Sequence, residues 1–156
     1  MVTGPIQQPS TVQGALRPPA ARRPPVTLLG DLRALTRALA APPTEPNWRE
    51  RVLLRLGPVR RGFAEHVRAT EGPAGLYAEL LGHAPRLERG VRRLAGEHAA
   101  IAAALAALHR AAELPEASAD DLVVRAGRLA SALAGHRQRG ADLLWQAYET
   151  DLGGET

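Results

Sequence analysis

Three of the five histidines in this chain, His66, His98 and His136, each interrupt a run of apolar residues spaced by alternating steps of four and three. In one segment the run is Val52, Leu56, Val59, Phe63, His66 and Thr70; in the next it passes from Leu94 through His98 to Ile101; in the last it passes from Leu133 through His136 to Leu143. That spacing keeps one face of a helix turned toward a core, so it predicts three imidazoles pointing inward, one from each of three helices. A lone histidine on an apolar face is ordinarily a core residue with a hydrogen-bond partner, and Glu65, Glu71 and Glu97 are acceptors within reach along the chain. Three together allow a second chemistry, because neutral imidazole is the commonest protein metal ligand and helix bundles build metal sites from inward-facing side chains. Cysteine is absent, which excludes thiolate zinc sites, iron–sulfur clusters and cysteine nucleophiles. Any metal must be held by nitrogen and oxygen.

The other two histidines carry less. His83 precedes Ala84 and Pro85 at a bend, and His109 lies beside its seam near a helix end; both are read as solvated. In His136-Arg137-Gln138-Arg139 the two arginines are expected to point away from the His136 face. Trp145 and Tyr148, three residues apart, are expected to close one end of the bundle. No Ser/His/Asp arrangement, phosphate-binding glycine loop or nucleotide motif is present.

The elements that must position these side chains are helical. The apolar content is mainly Ala and Leu and aromatics are only 3%, which favours helix over sheet. Residues 1–25, with Pro5, Pro9, Pro18, Pro19, Pro24 and Pro25, read as a disordered or polyproline-like tail, and residues 26–156 as one domain. A first helix carries Leu28, Leu32, Leu35 and Leu39 and ends at Pro42-Pro43; a second closes at Gly72-Pro73, with Pro58 as a possible kink. A short helical piece at Leu76–Leu81 leads to a third helix starting near Pro85, and a fourth opens at Ser118 or Asp120 and stops at Gly153-Gly154. Four helices with short connections predict an all-α fold, an antiparallel up-down-up-down four-helix bundle. Counted from the turn at Leu114–Ala117, His98 and His136 fall at similar depth, while the depth of His66 depends on the Gly72–Gly75 segment.

Taken in order, the segments His66-Val67-Arg68-Ala69-Thr70-Glu71-Gly72-Pro73 running into Gly75-Leu76-Tyr77-Ala78-Glu79-Leu80-Leu81, the Glu97-His98 pair, and His136-Arg137-Gln138-Arg139-Gly140-Ala141-Asp142-Leu143-Leu144 resemble the second, third and fourth helix motifs of the hemerythrin-like, or HHE cation-binding, domains. The resemblance spans roughly residues 26–155. It implies non-haem iron and a redox, oxygen, peroxide or nitric oxide sensing or protective role. The departures are specific. Where the family's first helix has an Asp-His pair, this chain has Asp31-Leu32; four residues after His66 stands Thr70, with Glu71 one step later; four after His136 stands Gly140, with Asp142 the nearest carboxylate; and Ala102 stands where a second histidine would follow His98. A complete diiron centre of this family draws on about five histidines and two bridging carboxylates, so a complete centre is not expected. Three outcomes stay open: a mononuclear site of His66, His98 and His136 with Glu71, a rearranged two-metal site recruiting Asp142 or Glu149, or a metal-free descendant.

The rival class is a metal-free interaction module that keeps the bundle and binds another protein through its surface and tail. Nucleic-acid binding has the weakest footprint. The net charge is +4 and all 20 basic residues are arginine, but they are spread among Asp and Glu, a pattern that a GC-rich coding bias explains. The first twenty residues lack a basic stretch followed by an apolar run, and no long uncharged apolar stretch occurs, so the expectation is a cytoplasmic protein without membrane contact.

Overall fold

The computed structural model describes residues 26–149. Among them there is no strand: the elements are α1 (Val26–Ala40), α2 (Trp48–Glu71), α3 (Leu76–His83), a 3-10 turn (Pro85–Leu87), α4 (Glu88–Glu113) and α5 (Ala119–Glu149). Four of these helices are long, and among the described residues no helix is long and apolar enough to cross a membrane. The tail assigned to residues 1–25 and the stop assigned to Gly153-Gly154 lie outside the described residues.

Local chemistry sets the boundaries. The Pro42-Pro43 pair lacks the N–H groups that would continue α1, and α2 begins after Asn47, held at φ 58°, a left-handed conformation that asparagine tolerates. Pro58 lies inside α2 without ending it. At the other end the Gly72 N–H donates to the Arg68 carbonyl at 3.1 Å and Pro73 follows. The chain then reverses in a turn closed by Gly75 N–H to the Gly72 carbonyl, 2.8 Å. A Cβ on Gly75 would sit 2.6 Å from the Thr70 carbonyl oxygen, so this turn requires glycine. Pro85 occupies the first turn before α4, and the Ser118 hydroxyl accepts the Asp121 N–H at 3.1 Å to cap α5. Arg49 of α2 donates to the carbonyls of Ala112, Leu114 and Ala117, placing a cation where the end of α4 leaves its acceptors unpaired.

The interior is two apolar clusters. The larger draws Leu35 and Leu39 from α1, Trp48 to Phe63 from α2, Ile101 to Ala112 from α4 and Leu122 to Leu133 from α5. The smaller joins Tyr77 and Leu80 of α3, Ala84, Leu87, Val91, Leu94 and Leu143. The seams read from the sequence are the buried faces: every seam position of α4, and of α2 apart from half-buried His66, is buried. Trp145 and Tyr148 differ from expectation. They are 65% and 68% exposed, because Trp145 stands about half a turn round the helix from His136 while Leu143, Leu144 and Ala147 do the packing.

Candidate metal centre

His66, His98 and His136 lie between the two clusters, following Phe63 on α2, following Leu94 on α4 and preceding Leu143 on α5. His98 and His136 are buried and His66 is the most open of the three. Their Nε2 atoms face one another: His98 to His136 is 3.0 Å, His66 to His98 3.1 Å and His66 to His136 3.4 Å. Phe63 supports the group from the larger cluster, edge-on to His98 with ring centres 5.8 Å apart. Tyr77 covers the other side, its ring 8° from parallel to His98 and its hydroxyl 3.5 Å from His98 Nε2.

The outer ring nitrogens explain this orientation. His98 Nδ1 lies 2.5 Å from a carboxylate oxygen of Glu71, and His136 Nδ1 lies 3.0 Å from Glu97. Glu97 is in turn held by Arg139 at 2.6 Å and Arg93 at 3.4 Å. Ionised carboxylates only accept, so each Nδ1 carries the proton and each Nε2 of this pair presents a lone pair. Burial alone would raise the Glu97 carboxyl, but the Arg139 guanidinium and the His136 ring beside it outweigh it and hold it below its ordinary value. The imidazoles of His66 and His98 are pushed toward their neutral forms. Burial, then the neighbouring His98 and His136, pushes His66 down to about 4, and burial lowers His98.

Lone pairs of His98 and His136 thus meet 3.0 Å apart in a buried setting, with His66 and Tyr77 the groups at hand to donate to them. A cation would satisfy all three imidazoles at once. Three nitrogens bound at about 2.0–2.1 Å lie about 3.3–3.4 Å apart in tetrahedral geometry and about 2.9 Å apart at right angles. The observed spacings span that range. The donor set therefore fits a single first-row metal ion in a half-shell of imidazoles, with carboxylates behind two of them in the manner that tunes metal-bound histidines.

The remaining expectations are redistributed. Glu71, expected as a ligand, sits on the outer nitrogen of His98 rather than in the ring of Nε2 atoms; the end of α2 at Gly72 carries it past His66 and across to α4. Asp142, also expected as a ligand, is exposed and accepts a hydrogen bond from Gln138 at 2.9 Å. Six residues beyond His136, it lies about 120° round the helix, and Leu143 takes the inward place. Glu149 is exposed, about 20 Å along α5 from His136. Arg139 was expected to point away, yet at three residues beyond His136 it is only about 60° round and its long stem reaches Glu97. Leu32 does not stand level with His66. Leu28 packs on Gly62, and Ala38 late in α1 and Ala41 just beyond it line a groove with Arg51 and Leu54, so α1 leads away from the histidines. His83 is exposed and donates to the Glu79 carbonyl at 2.9 Å; His109 is half-buried beside Glu113, 3.5 Å away. Tyr77 was not singled out from the sequence. A surface groove of about 700 Å³ between α1 and α2, lined by Ala34, Ala38, Leu54 and Arg55 among others, contains none of the histidines.

No family model matches this chain, and no curated protein or solved structure does either.

Proposed function

We propose that the chain is a hemerythrin-like up-down-up-down bundle with antiparallel neighbours, reduced to a mononuclear metal site held by His66, His98 and His136. Contacts between successive helices support the arrangement: Arg49 meets the end of α4 while His66 meets its middle, and Gly90 near the start of α4 packs on Leu143 toward the end of α5. The observation that carries the metal reading is the inward convergence of three Nε2 atoms, two of them fixed by carboxylates on the opposite ring nitrogen. Core histidines that merely fill space need no such common focus.

Imidazole ligands suit zinc, iron, copper and nickel alike, and the resemblance of the surrounding segments favours iron. A half-shell of three imidazoles leaves coordination positions open for a small ligand such as dioxygen, nitric oxide or peroxide, which gives the protein a sensing or protective role. With Asp142 and Glu149 turned outward, the site has the ligands for one ion and not for a bridged pair.

Elemental analysis of protein purified from iron-supplemented cells tests this reading. About one ion per chain is expected, with most of it lost in His66→Gln, His98→Gln or His136→Gln and retained in His83→Gln and His109→Gln. Negligible metal in the unaltered protein, or metal that survives all three core substitutions, would overturn it.

A further inference from the structure

The ring of Nε2 atoms contains only nitrogen, yet an oxygen atom comes within 3.5 Å of one of its members, His98 Nε2. Tyr77 enters from α3, a helix that the sharp Gly72–Gly75 turn folds back beside the end of α2. Its ring lies flat against His98, with ring centres 5.8 Å apart and planes 8° from parallel, so the two polar ends emerge side by side, 3.5 Å apart. That separation is close to those among the three Nε2 atoms themselves. Tyr77 is buried, and so is Thr70, whose hydroxyl donates to the carbonyls of His66 and Val67. The chain therefore has a short side chain, Thr70, four residues after His66, and Tyr77 brings its oxygen to that neighbourhood from another helix.

The geometry points to Tyr77 as the fourth protein donor of the site, completing a three-nitrogen, one-oxygen set suited to iron(III). This inference rests on the triad being a metal site. On binding, the phenol O–H bond breaks, a metal–oxygen bond forms and the proton leaves to solvent; no electron is transferred. An anionic oxygen donor balances part of the charge of a trivalent ion, which three neutral imidazoles cannot do.

The chain has two tyrosines, and Tyr148 is exposed, so a phenolate signal can be assigned. Purified full-length protein is titrated with iron(III) supplied as its citrate complex, and separately with zinc(II). The unaltered protein is expected to develop a phenolate-to-iron(III) charge-transfer band in the visible. Tyr77→Phe keeps the ring against His98; it is expected to lose the band and to bind iron(III) at least about tenfold more weakly, while Tyr148→Phe keeps both. A purely structural or outer role for Tyr77 would give no such band. Zinc bound without any iron(III) uptake, iron(III) bound without the band, or a band that survives in Tyr77→Phe would each overturn this assignment while leaving the three-histidine site standing; failure to bind either metal would overturn both.

Discussion

The larger apolar cluster and the histidine layer beside it are built on the same helices with the same seam spacing, but they are held by different forces. In the cluster, Leu56, Leu108, Leu122 and Leu129 are essentially fully buried, and their contribution is non-directional and insensitive to pH. In the layer, one position per helix is exchanged for histidine, and two of the three rings are turned by a partner outside the seam: Glu71 from the end of α2 for His98, and Glu97 from α4 for His136. Removing apolar area should therefore cost stability whatever the metal or pH, whereas changing the layer should cost function first.

The largest effect expected is on the apolar side. Leu56→Ala leaves a cavity among residues that cannot collapse into it and should cost about 2–5 kcal/mol in urea unfolding. The loss should be the same with and without added metal once the metal's own contribution is subtracted. A loss under about 1 kcal/mol would mean that this cluster does not dominate stability.

The layer should show itself next, through pH. His66 has an ordinary value of 6.5 and is pushed down to about 4 in the folded chain, first by burial and then by His98 and His136. Between these values the unfolded chain binds more protons than the folded one, so the stability of metal-free protein is whole above pH 6.5 and drains away as the pH falls toward 4. Urea midpoints measured across that window should fall steadily. A flat profile would place His66 in a setting that tolerates charge and would contradict a neutral His66.

A smaller change is expected from His136→Leu. It removes one of the converging lone pairs, and Glu97 keeps its pairs with Arg139 and Arg93, so metal-free stability should shift by less than about 1 kcal/mol while metal uptake collapses. Equal damage to both would mean that the imidazole is holding the fold together. No gain in metal is expected from Leu32→His, even though the family pattern puts a histidine there, because Leu28 already meets Gly62 and Leu32 lies further from His66. Tighter metal binding in this variant, read by chelator competition, would require α1 to sit differently.

These contrasts also mark how far the sequence could be read. The seams of α2, α4 and α5 were legible because helical periodicity fixes which way a Cβ points, and the three histidines were legible with them. What escaped depends on reach and on turns. Glu71 and Glu97 were visible as possible acceptors, but their assignment to His98 and His136 follows from how neighbouring helices meet. Arg139 stands on the flank of its helix, and only the length of its side chain brings it to Glu97. Tyr77 belongs to a short helix whose placement hangs on the Gly72–Gly75 turn, which periodicity does not describe. Asp142 shows the opposite error: nearness in sequence to His136 suggested a ligand, and the helical step carried it outward.

The central claim is that three imidazoles on three helices hold one metal ion, and X-ray absorption spectroscopy of the metal-loaded protein tests it most directly. The account predicts scattering from three imidazoles at about 2.0–2.2 Å and no second metal. Fewer than three imidazoles, or a metal neighbour at about 3.5–4 Å, would contradict it.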